Sequence, residues 1–245
     1  MPIKKSELYS SLWKSCDELR GGMDASQYKD YVLVLLFVKY VSDKGASQKG
    51  YLLDVPKEAS FADMVALKGD KEIGEKMMKI IDRLAEANDL VGVINVADFN
   101  DPDKLGKGKE MVDRLSNLVS IFDTPALDFR GNRAEGDDLL GDAYEYLMRH
   151  FATESGKSKG QFYTPAEVSR IMAKVIGVGE AKSAGQAIHD PTCGSGSLLL
   201  KAHDEAKCRT GLDLALYGQE MKSQGQSQVK SRVKSRSCSW LAAEP

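Results

Sequence analysis

Residues 190–197 read Asp-Pro-Thr-Cys-Gly-Ser-Gly-Ser and join two short patterns of different character. An apolar-leaning run at residues 186–189 precedes them, and a leucine-rich, helix-like run at residues 198–202 follows them. Gly194 and Gly196 permit a positive φ and a close approach by a ligand, because glycine has no Cβ. The next helix would present unpaired N–H groups at its start, which suits a nucleotide-like cofactor. We therefore predict a strand, a glycine turn and a helix that together form a cofactor site.

A second strand is predicted at residues 215–217, and it leads into Gly218, Gln219 and Glu220. A carboxylate at the end of this strand can accept hydrogen bonds from both hydroxyls of a ribose. The same carboxylate would repel a 2′-phosphate. The order strand, turn, helix, strand therefore indicates a nucleoside or dinucleotide cofactor on a doubly wound parallel sheet.

Three classes of cofactor site compete for the glycine turn. A P-loop requires G-x-x-x-x-G-K-[ST], which the sequence lacks, and a dinucleotide fingerprint requires a third glycine where Leu199 stands. S-adenosylmethionine has no phosphate and needs no third glycine, and Asp190 is placed to face its positive ammonium group, directly or through water. Asp190, Gly194, Gly196 and Glu220 together favour S-adenosylmethionine. A dinucleotide-dependent oxidoreductase stays the more distant alternative.

A well-capped helix is predicted before the first strand. Thr164 can serve as the N-cap, Pro165 fits the first helical position and Glu167 occupies the third, which is a capping box. The helix is expected to run to about Ile176 and to stop at Gly177. This helix would lead the chain into the cofactor fold.

Two adjacent aromatic residues, Phe162 and Tyr163, stand immediately before this helix. One interpretation makes them a hydrophobic lead into the helix. The other makes them a cover that stacks on a bound adenine ring or cofactor. The residues alone leave both interpretations open.

The chain before about residue 155 is predicted to be almost wholly helical. Apolar residues recur at steps of three and four in segments 8–19, 28–41, 75–87, 111–122 and 137–151. The second segment is apolar nearly all round, so it should lie at the centre of a helical domain, and residues 43–50 are expected to break it. No repeat of 20–50 residues is evident, so a helical solenoid is not favoured. The plain interpretation is a helical packing or docking domain.

Composition narrows the classes of protein. The net charge is −2 with 42% hydrophobic and 29% charged residues, so no global positive field argues for nucleic acid. The four cysteines form no C-x-x-C pair and no secretory signal pattern is seen, which favours a cytoplasmic protein. His189, Cys193, His203 and Cys208 match no zinc spacing, so no metal is expected. The longest apolar run, at residues 32–38, is far shorter than the ~20 residues that span a bilayer, so no membrane is expected.

Three motifs in order resemble the modification (methylase) subunit of type I restriction–modification systems. They are Gln-Phe-Tyr-Thr-Pro at residues 161–165, the glycine turn at residues 190–197 and Tyr-Gly-Gln-Glu at residues 217–220. The helical half, with Gly-Asp-Ala-Tyr-Glu-Tyr-Leu at residues 141–147, resembles the N-terminal helical domain of that family. The similarity covers roughly residues 1–223.

This resemblance implies an α + α/β chain. An N-terminal helical domain at residues 1–155 would precede the first part of a Rossmann-like, S-adenosylmethionine-dependent methyltransferase fold at residues 156–223. The family methylates adenine N6 in DNA, with a specificity subunit and often a restriction subunit as partners. Carried over by motif, the cofactor-binding positions are Gln161, Phe162, Tyr163, Thr164, Pro165, Ala166, Asp190, Gly194, Ser195, Gly196, Ser197 and Glu220.

The catalytic motif of the family is missing from this sequence. That motif, Asn/Asp-Pro-Pro-aromatic, accepts the hydrogens of the adenine amine, turns its lone pair toward the methyl group and stacks on the flipped base. The sequence contains no Pro-Pro pair. We therefore assign no catalytic residue and expect no methyl transfer by this chain alone. Only two strands of the sheet are predicted, so the glycine turn lacks neighbours to hold its shape, and we expect weak or absent cofactor binding.

The sequence changes character after about Ser223. Residues 224–239 alternate Ser, Gln, Lys and Arg around a few apolar residues, which is too polar to bury a face. We expect a truncation or frameshift here, with residues 224–245 disordered or out of frame. The alternative for this tail is a basic segment that binds nucleic acid.

The function of the whole chain also has an alternative. The chain could be a non-catalytic binding module whose helical half docks to a specificity subunit or to DNA.

Overall fold

The computed structural model folds into two compact units. Residues 1–139 with 153–155 form the first unit, and residues 140–152 with 156–245 form the second. The structure describes residues 4–20, 23, 25–48, 51–130, 139–154, 164, 166–194, 196–221 and 228–233. The sequence predicts a domain boundary near residue 155. Residues 140–152 therefore belong to the predicted helical domain but to the second compact unit of the structure. The functional boundary stays a prediction.

Helices make up the described part of the first unit. They are α1 Lys5–Leu19, α2 Ala25–Ser47, α3 Phe61–Ala66, α4 Ile73–Ala87, α5 Pro102–Leu105 and α6 Lys109–Phe122, followed by a 3-10 turn at Pro125–Leu127. Four of the predicted segments correspond to α1, α2, α4 and α6. The short helices α3 and α5 were not predicted, because they offer too few turns for a periodic pattern. Capping hydrogen bonds stabilise these two helices instead. Ser60 and Asp63 form a capping box at the start of α3, and the Asp101 side chain caps α5.

Helix α2 lies in the core of the first unit. Every residue from 31 to 38 is less than a tenth exposed, so the helix is buried on all sides. Helix α1 instead buries one face, through Leu8, Leu12, Cys16 and Leu19. Both burial patterns agree with the predicted periodicity. A helix with one apolar stripe packs that stripe against a neighbouring element, whereas a helix that is apolar all round must be surrounded by several.

The prediction that residues 43–50 break α2 was wrong, since the helix continues to Ser47. The Asp43 carboxylate accepts hydrogen bonds from Lys39 Nζ at 3.0 Å and from the Phe129 N–H at 3.0 Å. Ser47 Oγ donates to the Asp43 carbonyl at 2.9 Å. A buried carboxylate is tolerated when it is paired and hydrogen-bonded. These polar residues therefore extend the helix through contacts that periodicity does not reveal.

The described part of the second unit contains three α-helices and a three-stranded sheet. In chain order these are α7 Leu139–Glu154, α8 Ala166–Val175, β1 Ala187–Asp190, α9 Ser197–Thr210, β2 Ala215–Met221 and β3 Gln228–Val233. A 3-10 turn at Val178–Glu180 follows α8. The strands lie in the order β1-β2-β3, with β1 and β2 parallel and β3 antiparallel to β2. Ala187 pairs with Ala215 and Asp190 with Gly218, as a strand–helix–strand crossover requires.

Strand β3 lies within the polar tail, at residues 228–233, and the expectation that residues 224–245 are disordered or out of frame stays a prediction. The residues are polar, but a strand at the edge of a sheet gains its ladder hydrogen bonds from one neighbour and needs no fully buried surface. The connection from Met221 to Gln228 is shorter than the dozen or more residues that a parallel crossover needs, so the chain returns antiparallel. The rest of the tail, at residues 222–227 and 234–245, lies outside the described residues.

Helix α8 begins at Ala166 and ends at Val175, close to its predicted limits. Gly177 adopts a left-handed conformation with φ 73°, as expected for a glycine that stops a helix. Pro165 lies outside the described residues, so the predicted capping box stays a prediction. No helix in the described ranges is both long and apolar enough to cross a membrane.

Candidate cofactor site

The glycine turn lies at the carboxyl end of β1, as predicted. Asp190 is the last residue of β1 and Ser197 is the first residue of α9. Gly194 has φ 52° and Gly196 has φ 75°, so both occupy the left-handed region that glycine adopts readily. Ligands of open parallel sheets bind at this edge, outside the carboxyl ends of the strands.

Hydrogen bonds between described residues hold the turn in place. The Cys193 N–H donates to the Gln219 carbonyl at 2.9 Å, which ties the turn to β2. The Gly196 N–H donates to the Cys193 carbonyl at 2.8 Å. Asp190 Oδ1 accepts from the Thr192 N–H at 3.0 Å, an arrangement typical of an Asx turn. The Asp190 side chain thus shapes the turn, and the residue stays partly exposed.

An apolar cluster of buried side chains lies next to the turn. Cys193, Leu199 and Leu216 are buried together, and Ile188 and Leu200 pack against them. The Cys193 side chain therefore belongs to the core of the unit and not to the ligand side of the turn. Its burial also explains why an apolar-leaning residue stands among the polar residues of the motif.

Gly218 supports the site in a way that sequence reasoning missed. A Cβ at this position would lie 2.7 Å from Cys193 Sγ and 3.3 Å from Leu199 Cδ1, so β2 needs a glycine where the turn packs against it. A Cβ at Gly194 would meet nothing within 4 Å, so there only the positive φ requires glycine. A glycine inside a strand pattern was the available signal, since it marks a close approach of another segment.

The start of α9 offers hydrogen-bond donors at the turn. Gly196 is the N-cap and provides no side-chain cap, and the first turn of the helix carries no acidic residue. The first N–H groups of a helix have no partner within it, and the helix dipole makes this end partially positive. The arrangement suits a carboxylate or another polar, electron-rich group of a ligand.

The structure brings four of the predicted cofactor residues together in one turn, namely Asp190, Gly194, Gly196 and Ser197. Glu220 lies inside β2, paired with Val229 of β3, because β2 extends to Met221. Ala166 is the first residue of α8, and Thr164 lies two residues before it. Five predicted residues fall outside the described ranges: Gln161, Phe162, Tyr163, Pro165 and Ser195.

The four His and Cys residues near the turn occupy separate environments. His203 Nε2 contacts Asp213 Oδ1 at 2.7 Å and is buried, which links α9 to the segment before β2. Cys193 is buried in the apolar cluster and Cys208 is exposed. Throughout the described ranges, no three His, Cys, Asp or Glu side chains are grouped so that they could hold a metal ion.

Two protein families match separate parts of the chain. Residues 8–122 match the HsdM N-terminal domain, and residues 135–229 match the N-6 DNA Methylase family. The first match covers most of the helical unit. The second contains the glycine turn and both parallel strands.

Relatives with curated names give the same result. The MpnII type I restriction enzyme methylase subunit of Mycoplasma pneumoniae is 27% identical, over 89% of this chain and 48% of its own length. The MjaVIII methylase subunit of Methanocaldococcus jannaschii is 29% identical, over 89% and 38%. The EcoKI methylase subunit of Escherichia coli is 25% identical, over 85% and 36%. This chain thus spans about half or less of the length of these relatives.

The fold is also similar to that of a solved structure. It is the type I restriction–modification system methyltransferase subunit from Streptococcus thermophilus, which is 26% identical with a TM-score of 0.67. The match covers 90% of this chain and 53% of that subunit. The similarity therefore extends through both units of this chain.

Proposed function

We propose that this chain is a type I HsdM-like methylase sequence, and that its second unit binds S-adenosylmethionine for methylation of adenine N6 in DNA. The observation that carries the proposal is the glycine turn, which lies at the carboxyl end of β1 within the region that matches N-6 DNA methylases. When bound, this cofactor supplies an activated methyl group. The chain supplies the surroundings that select and orient it.

The described residues fit such a cofactor. Gly194 and Gly196 present backbone without side chains, so an amino-acid group can approach closely. The N–H groups at the start of α9, which have no partner within the helix, suit its carboxylate, and the partly exposed Asp190 suits its ammonium group. We assign the ribose hydroxyls to Glu220. The adenine ring is assigned to Phe162 and Tyr163 by motif alone.

We further propose that this chain transfers no methyl group to DNA by itself. The sequence has no Pro-Pro pair, so it offers no Asn/Asp-Pro-Pro-aromatic segment to hold the target amine. The proposed partners are DNA, a specificity subunit that reads its sequence, and a restriction subunit. A second candidate function, a binding module that docks to a specificity subunit or to DNA, is favoured by the match of residues 8–122 to the HsdM N-terminal domain.

The cofactor assignment is tested by NMR saturation transfer with the full chain. We expect weak binding of S-adenosylmethionine, displaced by its demethylated product and not by NAD. Glu220→Gln should reduce the affinity at least tenfold, about 1.4 kcal/mol, because the ribose hydroxyls lose a charged acceptor. Glu180→Gln is the control, since Glu180 is an exposed carboxylate of the same unit. Binding of NAD, or equal losses in the two variants, would contradict the assignment.

The catalytic proposal has its own test. Purified chain, labelled S-adenosylmethionine and adenine-containing duplex DNA should give no labelled adenine. A complete type I methylase assayed in parallel shows that the assay works. Detectable transfer by this chain would overturn the proposal, whereas association of the chain with a specificity subunit in the same preparation would support the docking candidate.

A further inference from the structure

The glycine turn and strand β2 approach each other closely at Cys193 and Gly218. A Cβ at Gly218 would lie 2.7 Å from Cys193 Sγ and 3.3 Å from Cys193 Cβ. One residue further along β2, the Gln219 carbonyl accepts a hydrogen bond from the Cys193 N–H at 2.9 Å. The turn is therefore held to β2 by a backbone hydrogen bond and a close contact at neighbouring residues of the strand.

This contact has little room to relax. Cys193 is 9% exposed and belongs to the buried cluster with Leu199 and Leu216. A Cβ at Gly218 would also lie 3.3 Å from Leu199 Cδ1. Rotation of the thiol would leave the distance between the two Cβ positions unchanged, because the backbone sets it. Since nonbonded carbon atoms prefer about 3.5–4.0 Å, a side chain at residue 218 would displace the turn from β2 by up to about 1 Å.

The contact lies between the two ends of the proposed cofactor site. From Cys193 the turn continues into Gly194 and Gly196, where we place the amino-acid group of S-adenosylmethionine. From Gly218 the strand continues to Glu220, to which we assign the ribose, and two residues of a strand span about 7 Å. A ligand that binds both places requires the right separation between them, because two linked groups bind together only when the geometry lets both engage.

We propose that Cys193 and Gly218 are positioning residues, whose contact sets the separation between the glycine turn and the end of β2 and so selects ligands that bind both. The proposal rests on the proposed cofactor site and adds to it a reason for ligand selection. The site then favours a nucleoside that carries an amino-acid group over the same nucleoside without that group. The residues act through the turn and the strand, since the Cys193 side chain lies in the core.

The test compares two ligands of the full chain, S-adenosylmethionine and 5′-methylthioadenosine, which lacks the amino-acid group. NMR saturation transfer measures both affinities. Gly218→Ala should weaken binding of S-adenosylmethionine about tenfold and that of 5′-methylthioadenosine less than about twofold, because only the first ligand reaches the displaced turn. Gly185→Ala is the matched control, since a Cβ there would meet Ser183 Oγ at an ordinary 3.4 Å. The control should change neither affinity.

A second substitution separates positioning from a merely structural role. Gly218→Ala combined with Cys193→Ala should recover much of the lost affinity for S-adenosylmethionine, because the sulfur atom that the new Cβ overlaps is removed. If far-UV circular dichroism shows that Gly218→Ala alone does not fold, Cys193→Val replaces it, since it enlarges the other side of the same contact. Equal losses for the two ligands, or no recovery in the combined variant, would overturn the proposal.

A measurement without ligand separates this proposal from the proposed function. Exchange of the amide hydrogen of residue 193 should quicken about tenfold in Gly218→Ala, because its bond to the Gln219 carbonyl is weakened, and should slow again in the combined variant. Unchanged exchange would overturn the positioning role, whichever ligands bind. Failure of the unaltered chain to bind either ligand would instead contradict the proposed function, and amide exchange would then decide the positioning role.

Discussion

The two units differ in how completely they bury their own apolar residues. In the first unit, α2 is enclosed on all sides, and the largest fully buried side chains of the described residues, such as Phe37, Phe99 and Phe122, all belong to this unit. In the second unit, the cluster beneath the glycine turn has three buried members, and α8 exposes its apolar face. Among the described residues, the first unit therefore has the more extensive buried core, and the second unit buries fewer large side chains.

Their buried polar contacts differ in the same way. The first unit buries both partners of the Lys39–Asp43 pair, with side chains 11% and 12% exposed. In the second unit, His203 is buried but its partner Asp213 is 61% exposed. A charged pair that is removed from water must be positioned by the surrounding core. The buried Lys39–Asp43 pair therefore indicates a well-packed interior in the first unit.

The largest expected effect is a cavity in the core of the first unit, compared with a smaller loss in the second. Phe122→Ala should lower the free energy of unfolding of the first unit by about 3–5 kcal/mol, since Phe122 is fully buried in α6. Leu199→Ala should cost the second unit about 2 kcal/mol, because its small cluster can relax toward solvent. Hydrogen exchange of α6 and of α9 measures the two losses. Equal losses would show that the second unit is as well packed as the first.

A smaller effect is expected from the buried ion pair. Lys39→Met should destabilise the first unit by about 2–3 kcal/mol, since the buried Asp43 carboxylate keeps its bond from the Phe129 N–H but loses its cationic partner. Lys79→Met is the control, because Lys79 pairs with Glu75 at the same spacing but both side chains are more than half exposed. Its cost should be within about 0.5 kcal/mol. Denaturant unfolding followed by Trp13 fluorescence measures both, and equal costs would mean that burial of the pair is unimportant.

The smallest expected effects on stability concern Gly218 and Gly194 in the second unit, which require glycine for different reasons. Gly218→Ala should cost about 2 kcal/mol, because its Cβ would overlap Cys193 Sγ. Gly194→Ala should cost about 1 kcal/mol, from its positive φ alone. Adding Cys193→Ala should recover part of the first loss and none of the second. Hydrogen exchange of β2 measures the changes, and recovery in both backgrounds would refute the packing role of Gly218.

Local pattern was enough to predict much of the molecule. The helices α1, α2, α4 and α6 follow from apolar periodicity, because a stripe or cylinder of apolar residues has few stable arrangements. The glycine turn between β1 and α9 follows from Gly194 and Gly196, because few other residues accept a positive φ. The parallel pairing of β1 and β2 follows from the helix between them. The assignments of Glu220 to ribose and of the aromatics to adenine stay predictions.

Contacts between distant residues decided the remainder. Helix α2 extends to Ser47 because Asp43 meets Phe129, which lies 86 residues further along the chain. Gly218 is needed because Cys193 packs against it, and β3 forms because β2 offers it a ladder of backbone groups. Periodicity and turn preference act within a few residues. Packing and strand pairing act between segments whose meeting depends on the whole fold, so only the tertiary structure reveals them.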